Sequence, residues 1–143
     1  MTTYVLDASV AVKWSIPWMR EPLTEQAVGL LDRYIANEIE FLVPDVFWVE
    51  AGNVFSRGAR QLRWSRQDAE TATAALVGQG FQTVPSSLLL SEALRISLTQ
   101  DRNIYDCFYV ALANESRADL ITADERLANA LAARFPVKWL GAY

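Results

Sequence analysis

The chain has no histidine and a single cysteine, Cys107, and both scarcities narrow its chemistry. Without histidine, Ser-His-Asp hydrolysis, paired-histidine ribonuclease chemistry and His-ligated metal centres are excluded. One cysteine allows no internal disulfide and no zinc site, and it suits a reducing cytoplasm. The six glycines never fall into G-x-G-x-x-G or a P-loop spacing, so nucleotide cradling is not expected. Ser9 and Lys13 stand four apart, not the three of a Ser-x-x-Lys nucleophile. No apolar run approaches the ~18 residues that span a bilayer, so no membrane association is expected. Residues 1–4 carry no basic stretch and Val5-Leu6 already read as a strand, so no signal peptide is expected.

What remains is carboxylate chemistry, and four acids stand out by their surroundings. Asp7 closes Tyr-Val-Leu-Asp, Glu50 follows Val46-Phe47-Trp48-Val49, Asp106 lies inside the apolar run 104–112, and Asp124 ends Leu-Ile-Thr-Ala-Asp. Taking an unpaired carboxylate out of water costs several kcal/mol, to order of magnitude. Few arginines or lysines stand beside these four, so a divalent cation between them is the natural remedy. The other acids (Glu21, Glu25, Asp32, Glu38, Asp68, Glu70) fall among polar residues and read as solvated, and Asp101 reads as a turn residue.

At 143 residues, 52% hydrophobic and 21% charged, the chain predicts one globular domain spanning 1–143. Apolar runs at 4–7, 40–43, 81–84, 119–122 and 137–140 predict five strands. Helices are expected at 9–15, 24–37, from Pro44 to about 62, 65–77, 87–98, 104–115 and 124–134. Pro44 suits the first turn of its helix, and Ser65 with Asp68 suggests a capping box. Strands separated by helices imply crossovers, hence an α/β fold with a mainly parallel sheet covered on both faces. Asp7 and Asp124 then stand at carboxyl ends of strands, where such sheets place their ligand crevice. Glu50 and Asp106 fall on helices, with Asn53 and Arg57 on the face of Glu50 and Tyr109 on that of Asp106.

Each acid has an ordinary explanation as well. Asp7 and Asp124 are placed to cap helices, Glu50 to pair with Arg57, and Asp106 to pair with Arg102. Net charge is −4, which argues against a generally basic nucleic-acid-binding surface. Yet Arg57, Arg60, Arg63 and Arg66 lie within ten residues with no acid among them, either a solvated helix end or a phosphate-contacting patch. The five tryptophans read as core or interface anchors, and Trp18 with Met19, beside Pro17 in a loop, is expected to be exposed and suits a dimer contact.

The succession Val-Leu-Asp-Ala-Ser-Val-Ala-Val-Lys-Trp at 5–14, Pro44 to Glu50 with Asn53, Tyr-Asp-Cys-Phe-Tyr-Val-Ala-Leu-Ala at 105–113 and Leu-Ile-Thr-Ala-Asp-Glu-Arg-Leu at 120–127 resembles the PIN-domain family. Within it, the chain is similar to VapC-type toxins of toxin–antitoxin pairs. The resemblance implies a single PIN domain with a five-stranded parallel sheet in order 3-2-1-4-5. It also implies a cytoplasmic Mg²⁺- or Mn²⁺-dependent endoribonuclease leaving 5′-phosphate and 3′-hydroxyl ends, a small antitoxin partner and a homodimer. The catalytic and metal-binding quartet carries over to Asp7, Glu50, Asp106 and Asp124, supported by Ser9, Thr122 and Asn53; from the arginine run, Arg57, Arg60 and Arg63 are the candidate RNA contacts. Three rival readings are a catalytically silent PIN-fold RNA- or protein-binding module, a DNA-directed nuclease and a receiver-type domain. The last lacks its adjacent acid pair after the first strand.

Overall fold

Short runs rich in Val, Ile, Leu and Phe become strands buried on both sides, and the amphipathic segments between them become the covering helices. The computed structural model describes residues 1–143. Strand β1 (Thr2–Leu6) leads into α1 (Ala8–Ser15), a 3₁₀ turn (Pro17–Met19) and α2 (Thr24–Ile35). Strand β2 (Ile39–Pro44) leads into α3 (Val46–Arg60) and α4 (Arg66–Gly78), and β3 (Gln82–Val84) into α5 (Ser86–Gln100) and α6 (Ile104–Ser116). Strand β4 (Asp119–Thr122) precedes α7 (Glu125–Leu131), and β5 (Val137–Trp139) ends in a 3₁₀ turn (Leu140–Ala142).

The five strands form one parallel sheet in the order β3-β2-β1-β4-β5, as expected. β1 is central, with Val5 opposite both Leu42 and Leu120. Neighbours along a strand point to opposite faces, and Val5, Leu6, Leu120 and Ile121 are all fully buried, so helices cover both faces. Because α1 and α7 begin just after β1 and β4, Asp7 and Asp124 come out side by side at the carboxyl edge of the sheet.

Several local expectations hold in detail. Ser65 and Asp68 form the capping box, with Asp68 N donating to Ser65 Oγ at 2.9 Å and Ser65 N to Asp68 Oδ2 at 3.2 Å. Asp101 is the left-handed turn residue that ends α5, and Trp18 is exposed, whereas Met19 is half-buried against the core. Others need correction. Pro44 is the last residue of β2, opposite Val84, and the helix begins two residues later. At that strand end the next amide, Asp45 N, donates to Val84 O, and the missing proline N–H leaves no gap in the ladder. Glu21 is not simply solvated: it receives Lys13 at 3.6 Å and Arg63 at 3.2 Å and ties the loop after α1 to the α3–α4 turn.

Candidate active site

Asp7 occupies the N-cap position of α1, yet its carboxylate makes no capping bond. Instead Oδ2 accepts from Thr122 Oγ1 at 2.6 Å and from Ser9 Oγ at 2.9 Å. Both hydroxyls also grip the β4 end: Ser9 Oγ accepts from Ala123 N at 3.1 Å and Thr122 Oγ1 from Asp124 N at 3.0 Å. Thr122, the one fully buried polar side chain, therefore fastens Asp7 to the backbone that carries Asp124. Ser9 and Thr122 are thus the two hydroxyls bonded to Asp7.

The other three acids arrive from helices or their starts. Asp124 does cap α7, its Oδ1 accepting from Leu127 N at 3.2 Å, so the ordinary reading accounts for one of its oxygens. Asp106 sits in the first turn of α6, its Oδ2 3.8 Å from Arg102 Nη2, the only cation paired with the quartet. Glu50 does not pair with Arg57; its Oε1 accepts from the Tyr109 hydroxyl at 2.6 Å. Asp7, Glu50 and Asp124 thus each have one oxygen held by hydrogen bonds, and Asp106 has one ion-paired at 3.8 Å; the second oxygens, Asp7 Oδ1, Glu50 Oε2, Asp106 Oδ1 and Asp124 Oδ2, have no hydrogen-bond partner in the chain.

Electrostatics binds the four into one group. Burial first, and then Asp124, pushes the Asp7 carboxyl up, against the pull of its two hydroxyl partners. Glu50 is raised by burial and by Asp7 and Asp106, against the Tyr109 hydrogen bond. Asp106 is raised by burial, Asp7 and Asp124, against Arg102. Burial, with Asp7 and Glu50 nearby, pushes the Tyr109 phenol far above its usual range and keeps its proton in place as a donor. No three acidic, histidine or cysteine side chains close into a ready-made metal-ligand set. The four acids therefore form an open cluster. Its donor set, carboxylate oxygens with unused lone pairs and one distant arginine, fits a hard cation such as Mg²⁺ or Mn²⁺.

The rest of the expected site is divided by the fold. Asn53 lies exposed on α3 one turn past Glu50. Arg57 and Arg60 are exposed and pair with no acid, about 10 and 15 Å along the helix axis from Glu50. Arg63 and Arg66 are engaged by Glu21 and Glu70, and Arg63 also stacks over Trp64 with its guanidinium 5.2 Å from the ring centre. Two hollows of about 500 and 410 Å³ flank α2 and contain none of the four acids. The role of Tyr109 escaped the sequence reading. Its signal was a tyrosine in an apolar run, since a buried hydroxyl needs a partner. Asp45, at the end of β2, was also passed over; it accepts from Ser86 N at 3.0 Å and Ser86 Oγ at 3.2 Å and serves the start of α5.

Known structures share this architecture. PAE2754 from Pyrobaculum aerophilum superposes with a TM-score of 0.72 at 19% identity, covering 99% of this chain and 85% of its own. A toxin–antitoxin complex from Klebsiella pneumoniae gives 0.64 at 15% identity, covering 94% and 95%. VapBC2 from Rickettsia felis, bound to a DNA fragment from its promoter, gives 0.61 at 11% identity, covering 96% and 98%. No curated protein matches the sequence at a significant level. The pattern of the PIN domain extends over residues 4–131, nearly the whole of the α/β unit and all four acids. The chain belongs to the PIN domain family.

Proposed function

We propose that this protein is a divalent-metal-dependent endoribonuclease, the toxin half of a toxin–antitoxin pair. One observation carries the reading: four acids from distant segments share one electrostatic group, each with an oxygen free of protein partners. A bound Mg²⁺ or Mn²⁺ would supply Lewis-acid polarisation of the scissile phosphate and lower the pKa of water. Asp7, Asp106 and Asp124 would hold the ion, with Ser9 and Thr122 fixing the Asp7 carboxylate. Glu50 would orient the attacking water or share in a second ion. Attack by water with the 3′-oxygen as leaving group, which takes up a proton, leaves a 5′-phosphate and a 3′-hydroxyl. The site's position outside the two hollows beside α2 suits a polymer laid across an open edge better than an enclosed small molecule. Arg57 and Arg60 lie where flanking phosphates would pass, and Asn53 lies between them and Glu50. Arg63 is engaged by Glu21, which makes it the weakest of the three expected RNA contacts.

Two partners belong to this reading. One is a small antitoxin, since two similar structures come from toxin–antitoxin complexes. The other is a second copy of the chain. Leu90, Leu94 and Leu98 form an exposed stripe on α5, and the intervening Glu92 and Arg95 neutralise each other. No helix is long and apolar enough to cross a membrane. We place the enzyme in the cytoplasm, where RNA is available and Cys107 stays reduced.

The absence of a closed ligand set favours one rival, a silent PIN-fold module that binds RNA or protein without cutting. Incubating total RNA with purified protein in Mg²⁺ or in EDTA, beside an Asp7→Asn control, separates the two. New 5′-phosphate ends in Mg²⁺ with wild type alone support the nuclease. RNA retention without cutting in any metal supports the silent module. A matched DNA oligonucleotide cut as well as RNA would transfer the activity to DNA.

A further inference from the structure

We infer that Tyr109 is a positioning residue for Glu50, its hydroxyl selecting the orientation in which that carboxylate serves the site. The inference rests on the metal-dependent reading above. Tyr109 lies on α6 one turn after Asp106 and is 1% exposed, so its ring is fixed by the core. Its hydroxyl donates to Glu50 Oε1 at 2.6 Å. One buried side chain thus joins the segments of two of the four acids: Asp106 on its own helix and Glu50 directly.

Glutamate reaches its site through three rotatable bonds and has many staggered alternatives. Glu50 has no other hydrogen-bond partner in the chain to choose among them. A rigid donor at one oxygen holds the carboxylate and leaves Oε2 for the ligand, as groups behind metal ligands do elsewhere. The substrate does not reach Tyr109, because the ring and hydroxyl are inside the protein.

The test is Tyr109→Phe, which keeps the ring and removes the donor, followed by Mn²⁺ titration calorimetry on metal-free protein and RNA cleavage kinetics. With Glu50 as a ligand of the second ion, Mn²⁺ affinity at that ion and kcat should each fall about 10–100-fold, with KM for RNA unchanged. In a Glu50→Ala background the same change should leave Mn²⁺ affinity unaltered, because the group being positioned is gone. An equal loss in both backgrounds, wild-type affinity and kcat in Tyr109→Phe, or collapse of the fold in that variant would each overturn the inference. A wild type that cuts RNA while Tyr109→Phe behaves identically removes only this inference. A wild type that neither binds Mn²⁺ nor cuts RNA removes the nuclease reading and this inference together.

Discussion

Replacing Asp7 by asparagine should make the metal-free protein more stable while it destroys the site. Asp7 Oδ2 receives two hydroxyl donors, at 2.6 and 2.9 Å, and no cation pairs with the carboxylate. Asparagine keeps a carbonyl oxygen for both donors and gives up the charge. A hydrogen bond to a charged acceptor contributes about 1.5–3 kcal/mol and a neutral one about 0.5–1.5, so two weaken by roughly 2 kcal/mol together. Against that, the desolvation cost of a buried carboxylate, about several kcal/mol, is lifted along with repulsion from Asp124. The balance favours the variant by about 1–3 kcal/mol, or about 3–9 °C in Tm for a chain of this size. Mg²⁺ at about 100 times its Kd should stabilise the wild type by about 2.7 kcal/mol and the variant far less. Melting curves in EDTA should therefore place the variant above the wild type, and saturating Mg²⁺ should close or invert the gap. A variant that melts below the wild type in EDTA, yet responds fully to Mg²⁺ and still cleaves RNA, would refute the reasoning.

Four further outcomes follow from the same geometry. Asp7, Glu50 and Asp106 have folded-state pKa values above those of ordinary carboxylates, chiefly through burial, so the folded protein binds extra protons between about pH 4 and those raised values. Stability then falls as pH rises through that window; Tm in EDTA should climb as pH is lowered from neutral toward the ordinary carboxylate range near about 4, and a flat profile would contradict it. Removing both Arg57 and Arg60 should raise KM with little change in kcat and reduce the salt slope of RNA binding by about 1.4, at about 0.7 per phosphate contact on a single strand. Leu94→Glu should turn a dimer into a monomer by light scattering with the fold intact by circular dichroism. Gly58→Ala should destabilise by about 1–3 kcal/mol, because a Cβ there falls 1.8 Å from the Trp64 ring, which is buried and donates to Phe55 O at 3.0 Å; chemical denaturation would show it.

The order of elements was legible along the chain because burial on two faces demands continuous apolar strands and stripe-bearing helices, and both periods are written locally. The four acids were legible for a related reason. Charge inside an apolar run contradicts its surroundings, and strand ends are where a parallel sheet offers a crevice. Capping at Ser65–Asp68 was equally local, a matter of three residues. Whether Glu50 meets Arg57 or Tyr109 was not legible. Arg57 is seven residues away on the same helix, whereas Tyr109 is 59 residues distant and reaches Glu50 only after α3 and α6 pack.

The amino-acid sequence by itself determined an α/β chain without histidine chemistry, with four misplaced carboxylates in a set order and one run of arginines. Tertiary structure alone decided which oxygen of each acid is held and which is left over. It also sequestered Arg63 behind Glu21 while leaving Arg57 and Arg60 unpaired, and set the acids in an open cluster rather than a closed shell. Periodicity specifies the face on which a side chain emerges, but hydrogen bonds act over about 3 Å. Partners 115 residues apart, such as Asp7 and Thr122, are chosen only when strands and helices settle against one another.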